Sequence, residues 1–255
     1  MARPSLSLII ITKNNGRTLR RCLDSADFVD EKILIDNAST DDTRDIAKAS
    51  GARVVTTTDF PGFSAQKQRA LDLATTDWIL ALDADEWIPA PLKAALLEAL
   101  DNPGPHAGFD MPRHSSFCGR VLRHGDWARD RVVRLCRRRQ ASYGRDAVHD
   151  RIRVEGSIGH LNQPLMHEAV FDLEHALWRM NLYSSMTARE RHLRGQRASL
   201  PGALTHGFWT FFKSYILRAG FLDGAPGFYQ ALTAGEGSFY RYAKLVEMNR
   251  GQPKS

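Results

Sequence analysis

No stretch of the 255 residues approaches the roughly 18 consecutive apolar positions that a membrane-spanning helix needs. Cysteine is scarce as well. Cys22, Cys118 and Cys136 are odd in number and lack metal-ligand spacing, which argues against a disulfide framework or a cysteine zinc site and for a reducing compartment. No basic-then-apolar leader precedes the first apolar run at Leu6, so a cytoplasmic location is expected. There is no internal repeat and no low-complexity segment. What is present suits one large domain, or one domain with an appendage: 43% of residues are hydrophobic, enough for a real core. Lys and Arg outnumber Asp and Glu by 35 to 29, a formal charge of +6. A basic balance points to an anionic partner, whether nucleic acid, acidic lipid or a phosphorylated substrate.

Apolar runs alternate with helical spacing along the first hundred residues. Leu6–Ile11 reads as a buried strand and Arg17–Ala26 as a helix with Leu19, Cys22 and Leu23 on one face. Lys32–Ile35 and Arg53–Thr56 read as further strands, Ser64–Ala74 as a helix, Trp78–Leu82 as a fourth strand and Pro89–Leu100 as the helix after it. This β-α-β alternation predicts an α/β fold with a mostly parallel, doubly wound sheet. Polar residues follow the strand ends: Thr12 to Asn15, Asp36, and the acids Asp83, Asp85 and Glu86. In a parallel sheet those ends share one edge, where ligands bind. Asp83 and Asp85 are two apart, so in extended chain they point the same way. Two carboxylates aimed at one spot call for a cation, and a hard divalent ion such as Mg²⁺ or Mn²⁺ fits. The plain alternative is a polar loop leaving a strand, with Glu86 opening a helix.

Three motifs in order, I-T-K-N-N-G, I-D-N-A-S-T-D-D-T and A-L-D-A-D-E-W, resemble the nucleotide-sugar half of family-2 glycosyltransferases with the Rossmann-like GT-A fold. The likeness covers roughly Ser5 to Leu100. Together with F-P-G-F-S-A-Q-K-Q-R-A-L it is similar to bacterial enzymes of the lipopolysaccharide inner core, β-1,4-glucosyltransferases among them. The resemblance implies a metal-dependent, inverting transfer from a nucleotide-sugar, a UDP-sugar by preference, to a glycan acceptor carried on lipid. It implies a GT-A domain over 1–170, with a nucleotide-sugar half (1–100) and an acceptor half (101–170), and a helical C-terminal region over 171–255.

By the same resemblance Asp36 accepts from the base, which suits a carboxylate facing an imide N–H; otherwise Asp36 is a turn former. Thr12 and Asn15 line that pocket. Lys67 and Arg69 neutralise the diphosphate, or are solvated helix charges. Asp83 sits by the ribose and Asp85 holds the metal, with His167 as a further candidate ligand. Val148-His149-Asp150 stands where relatives have V-H-E, so Asp150 is the candidate base, with Asp130 and Asp126 in reserve. Pairing with Arg151 or Arg153 in a surface turn is the other reading of Asp150. The stretch Gly125–Arg139 resembles the acceptor region but has Cys136 and Arg129 where Phe and a neutral residue are expected, which leaves acceptor identity open. Arg137, Arg138 and Arg139 face a phosphorylated acceptor, or form an ordinary basic strand edge.

Leu173–Arg194 reads as a long helix ending in cations. His206–Phe221 reads as one aromatic-rich helix that either lies in an anionic membrane surface, apolar face down, or covers the catalytic domain. The resemblance, with its lipid-linked acceptor, implies peripheral contact with the inner membrane beside the cytoplasmic location. A last helix spans about Gly227–Asn249. Three other functions compete. A phosphatase with an aspartyl nucleophile prefers D-x-D-x-T after the first strand, whereas here the acids follow the fourth and no Thr stands two beyond Asp85. A sugar-nucleotide nucleotidyltransferase wants a glycine-rich basic loop after the first strand, where only Gly16 stands. A basic lipid- or nucleic-acid-binding module explains the charge but gives no reason for Asp36 and the Asp83–Glu86 acids to converge, so no nucleic-acid partner is expected.

Overall fold

In the computed structural model, which describes residues 3–144 and 151–250, strand β1 (Leu6–Thr12) is buried at every position but Ile11. Its neighbours are β2 (Glu31–Asp36) and β4 (Trp78–Asp83), with β3 (Arg53–Thr56) at the edge, all parallel. Helices α1 (Gly16–Ser25), α2 (Thr43–Ala49) and α3 (Phe63–Leu73) make the crossovers. Residues of β1 alternate between two cores. Leu8 and Ile10 join Leu19, Leu23, Leu80 and Leu82 on one face; Ile9 joins Ile33, Ile79, Ala70 and Leu71 on the other. Burial on both faces is why these strands read as continuous apolar runs. Each fully buried Leu or Ile contributes about 1.5–3 kcal/mol.

The sheet turns mixed beyond β4. Strand β8 (Arg131–Arg137) pairs antiparallel with β4, and β6 (His106–Phe117) antiparallel with β8. After the helix α4 (Ala90–Asp101) and the short strands β5 (Glu86–Trp87) and β12 (Leu165–Val170), the order is β3-β2-β1-β4-β8-β6-β12-β5. The sheet is thus parallel over β3-β2-β1-β4 and antiparallel from β4 through β8 to β6. The strand β11 (Ser157–His160) adds to β6 in parallel, while β9 (Ala141–Tyr143) and β10 (Ile152–Val154) form a separate antiparallel pair.

The chain divides into two units, Met1–Arg113 with Asp130–His167, and His114–Arg129 with Glu168–Ser255. The second unit takes in a segment, His114–Arg129, that the sequence placed with the first. The reason is local: Asp223 accepts from the backbone N–H groups of Arg123 and His124 at 3.0 and 2.8 Å, and Gly125 N–H donates to the Arg218 carbonyl at 2.9 Å. Here β7 (Arg120–Val121) pairs with the far end of β6. Helix α5 (Leu173–Leu193) starts on Asp172, whose carboxylate accepts from His175 N–H at 2.8 Å. Helix α6 (Leu200–Phe212) is capped by Ser199, and α7 spans Gly224–Arg250.

The single helix expected over 206–221 is broken. α6 passes into a π-helical turn, Lys213–Leu217, and then a 3₁₀ turn, Gly220–Asp223. Ala219 takes a left-handed conformation, φ 56°. A Cβ at Gly220 would stand 2.8 Å from the Ser214 carbonyl oxygen, so the chain reverses where only glycine fits.

Candidate active site

Thr12, Asp36 and Asp83 end three adjacent strands. Thr12 is in register with Asp36, and Ile11 with Asp83. The edge proposed from the alternation is therefore formed, and it brings the three motif segments together.

Much of the first two motifs serves to hold the two loops to each other. Asp36 is fully buried. Its carboxylate accepts from the Ser39 N–H at 3.1 Å and from the Ser39 hydroxyl, and Arg44 Nε lies 3.9 Å away. Ser39 Oγ accepts from Asn14 N–H at 2.8 Å, and Asn14 Oδ1 accepts from Thr40 N–H at 2.8 Å. Asn14 manages this with φ 54°, a conformation that Asn tolerates better than most residues. Thr12 Oγ1 donates to Asn15 Oδ1 at 2.9 Å, and Asn15 N–H donates to Thr43 Oγ1 at 2.8 Å. Gly16 N–H donates to Asp41 at 3.0 Å; a Cβ there would sit 1.8 Å from Asp42 Oδ1. The turn-forming reading of Asp36 thus describes its observed contacts.

The acid pair behaves differently from the extended-strand expectation. β4 ends at Asp83 and the chain turns at Ala84–Asp85. Asp83 accepts from Lys67 Nζ at 2.7 Å and Arg134 Nη2 at 2.5 Å. Asp85 Oδ2 instead lies 3.4 Å from His167 Nε2. The pairing of His167 with Glu86 across β12 and β5 brings that imidazole there. Glu86 does not open a helix. It is fully buried and accepts from Arg134 at 2.6 Å, from Arg113 at 3.2 Å, and from the Asp83 N–H at 3.0 Å. Arg113 also grips Asp130 at 2.6 Å.

Three acids, Asp83, Glu86 and Asp130, thus meet three cations, Lys67, Arg113 and Arg134. Burial raises the carboxyl of Asp83, yet Arg134 and Lys67 outweigh it and hold it well below the usual carboxylate range. Burial lowers the Arg134 guanidinium, and Asp83 and Glu86 more than offset it. Beneath lies Cys22, whose buried thiol is pushed well up by burial and by Glu86, Asp85 and Asp83. A thiol of that kind is inert.

Other expected residues are placed as follows. Lys67 is 5% exposed and donates to Asp83 at 2.7 Å. Arg69 makes an exposed two-pronged pair with Asp59 at 2.8 and 2.6 Å. Arg137 and Arg138 are not near these acids. Arg137 opposes Trp78 at the start of β4 and Arg138 donates to the Thr76 carbonyl at 2.7 Å, one strand length, or about 16 Å, from Asp83. The basic-edge reading holds for both. Of the reserve bases, Asp130 pairs with Arg113 and Asp126 with Arg218. Asp150 lies outside the described residues.

Sequence reasoning missed Arg113 and Arg134. One signal was there: an arginine inside the apolar run V-V-R-L-C of β8 cannot be buried without a carboxylate partner.

Asp85 and His167 offer one oxygen and one nitrogen donor within 3.4 Å of each other. Among the described residues no group of three or more His, Cys, Asp or Glu side chains could hold a metal ion. Two protein donors fit a divalent cation that takes its remaining oxygens from substrate phosphates and water, the usual manner of Mg²⁺.

The chain matches the model of the glycosyl transferase family 2 over residues 7–155. It is 30% identical to an uncharacterised glycosyltransferase of Rickettsia felis over 260 residues, covering 95% of this chain and 89% of that one. It is 25% identical to LpsC, a lipopolysaccharide core biosynthesis glycosyltransferase of Rhizobium meliloti, covering 95% and 92%. Among solved structures, S. aureus TarS 1–349 overlays 98% of this chain and 93% of that one at a TM-score of 0.46 and 14% identity.

Proposed function

We propose, since the chain belongs to glycosyl transferase family 2, that it moves a sugar from a UDP-sugar to a lipid-linked saccharide with inversion at the anomeric carbon. The observation that carries this reading is the separation of the two aspartates. Asp83 is neutralised by Lys67 and Arg134, while Asp85 stands apart with His167. Asp83 is built into the floor of the site, and Asp85 lies beside an imidazole that can serve as a second donor to a cation. Family membership removes the nucleotidyltransferase and binding-module alternatives.

In the proposed reaction Asp36 fixes the loop 37–42 and, through Ser39 and Asn14, the loop 12–16, so that both present one rim to the nucleotide. Thr12 and Asn15 set the inner wall of that rim. Asp83, held ionised, faces the ribose. Asp85 and His167 would hold a divalent cation, which when bound supplies positive charge for the departing diphosphate. The acceptor oxygen forms its bond to the anomeric carbon as the sugar–phosphate bond breaks. Its proton passes to a carboxylate, and Asp150 is the residue we assign. No covalent intermediate is needed. Arg69, paired with Asp59 on the surface of α3, is the weakest of the expected donor contacts. The likeness to LpsC supports a lipopolysaccharide core acceptor, and such an acceptor makes an anionic membrane surface a natural partner. Among the described residues no helix is long and apolar enough to cross a membrane.

The test is incubation with a panel of nucleotide-sugars, with and without Mn²⁺, reading free nucleoside diphosphate. Slow, Mn²⁺-stimulated release from UDP-sugars is expected, with Asp150→Asn binding donor normally but transferring nothing to an acceptor extract. Release of pyrophosphate, or an Asp150→Asn variant as fast as the parent, would contradict the scheme.

A further inference from the structure

Among the buried positions of α5, α6 and α7 small residues predominate, with Leu245 the one large apolar side chain, while many large apolar side chains lie outside. Where α6 and α7 meet, the buried positions are Ala203, Gly207, Ala231, Gly235 and Ser238. The approach is close: a Cβ on Gly207 would stand 2.9 Å from Phe239 Cβ, and one on Gly235 would stand 3.0 Å from the Gly207 carbonyl oxygen. Helix α5 likewise buries Ala176, Ser184 and Ala188. Meanwhile Phe208 is 69% exposed, Trp209 53%, Leu217 59% and Leu222 55%. Water-soluble helices bury their large apolar side chains. Helices bounded by lipid pack through small residues, because outward-facing Leu and Phe cost nothing there.

Aromatic contacts run through α6 and the turns that follow it. Phe208 stacks on Phe212, and Tyr215 touches Phe211, Phe221 and Phe228, with centroids 5.4–6.2 Å apart. The charge matches an anionic surface. From Arg191 to Leu222 the sequence holds no Asp or Glu, but it does hold Arg191, Arg194, Arg197, Lys213 and Arg218. Arg218 is shared with Asp126.

Directly behind the exposed Phe221–Leu222 turn is an open cavity of ≈ 400 Å³ lined by Gly119, Arg120, Val121, Arg123 and Asp223. Its one acid is already used. Asp223 accepts from the N–H groups of Arg123 and His124 and pairs with the His124 ring at 3.1 Å. Arg120 and Arg123, both exposed, line the cavity beside the Phe221–Leu222 turn.

We propose that this face of the second unit lies in the headgroup layer of an anionic phospholipid bilayer. Phe208, Trp209, Leu217, Phe221 and Leu222 enter the acyl boundary, and Arg120 and Arg123 take a lipid phosphate in the cavity. An amphipathic surface of this type binds by buried apolar area plus attraction to anionic lipid. The inference deepens the proposed lipid-linked acceptor by naming the surface that carries it, and it is tested without turnover.

The experiment is flotation of the full chain with vesicles of phosphatidylcholine alone or mixed with phosphatidylglycerol. Binding to the mixed vesicles is expected to be about tenfold tighter. Arg120→Gln with Arg123→Gln should erase most of that preference. Phe221→Ser with Leu222→Ser should lower binding to both vesicles, with UDP affinity kept as proof of folding. A parent protein that floats with neither vesicle overturns the proposal, whatever the variants do. So does a parent whose apolar face is instead closed by self-association, seen as a dimer in sedimentation that the serine variant dissolves. Loss of vesicle binding with UDP affinity intact would overturn this inference alone. Loss of UDP affinity in the parent would overturn the transferase scheme and leave the vesicle result standing.

Discussion

Asp85→Asn is expected to lower sugar transfer by two to three orders of magnitude while leaving the fold intact, the scale seen when one group that stabilises developing charge is removed. Asn keeps the size of the side chain and loses its charge. Asp85 is 20% exposed at the side chain and lies 3.4 Å from His167 Nε2, beyond the turn that ends β4. Its removal therefore should cost little stability. Transfer assays at saturating donor, together with thermal unfolding of the same samples, check both halves. Turnover equal to the parent would remove Asp85 from the mechanism.

Arg134→Met should do the reverse, with its effect on stability first. Arg134 is 8% exposed and reaches both Asp83, at 2.5 Å, and Glu86, at 2.6 Å. Removing it strands two carboxylates, one of them fully buried, with Lys67 and Arg113 as their remaining cations. Breaking a buried pair from one side costs about 3–5 kcal/mol. Denaturant unfolding of the parent and variant should show a loss of that size. Arg134→Lys should recover only part of it, since a single ammonium cannot fork between two acids. A loss below about 1 kcal/mol, the scale of an exposed pair, would mean the cluster is solvated and not structural.

The contrast between these two residues shows what sequence can and cannot supply. The parallel half of the sheet was legible because strands buried on both faces are written as unbroken apolar runs, as in Leu6–Ile11 and Trp78–Leu82. The convergence of Thr12, Asp36 and Asp83 on one edge followed from alternation alone. The different fates of Asp83 and Asp85 were not legible, because they depend on a turn at Ala84 and on partners 51 and 82 residues further along, Arg134 and His167. Contacts at that separation leave no local spacing to read. Asp36 shows a third case: its position in the motif was legible, while its bonds to Ser39 within the same loop were not. In the C-terminal helices the apolar residues were visible, while their direction was not. Periodicity finds the stripe in α6, but only the close approach at Gly207 and Gly235 reveals that the stripe faces outward.

The central claim is that Asp85, with a divalent cation, grips a nucleoside diphosphate at the edge where β1, β2 and β4 end. Calorimetric titration of the protein with UDP, in the presence and absence of Mn²⁺, addresses it most directly. The account predicts binding that Mn²⁺ strengthens in the parent and no longer strengthens in Asp85→Asn. A folded parent that takes up no UDP under either condition would contradict it.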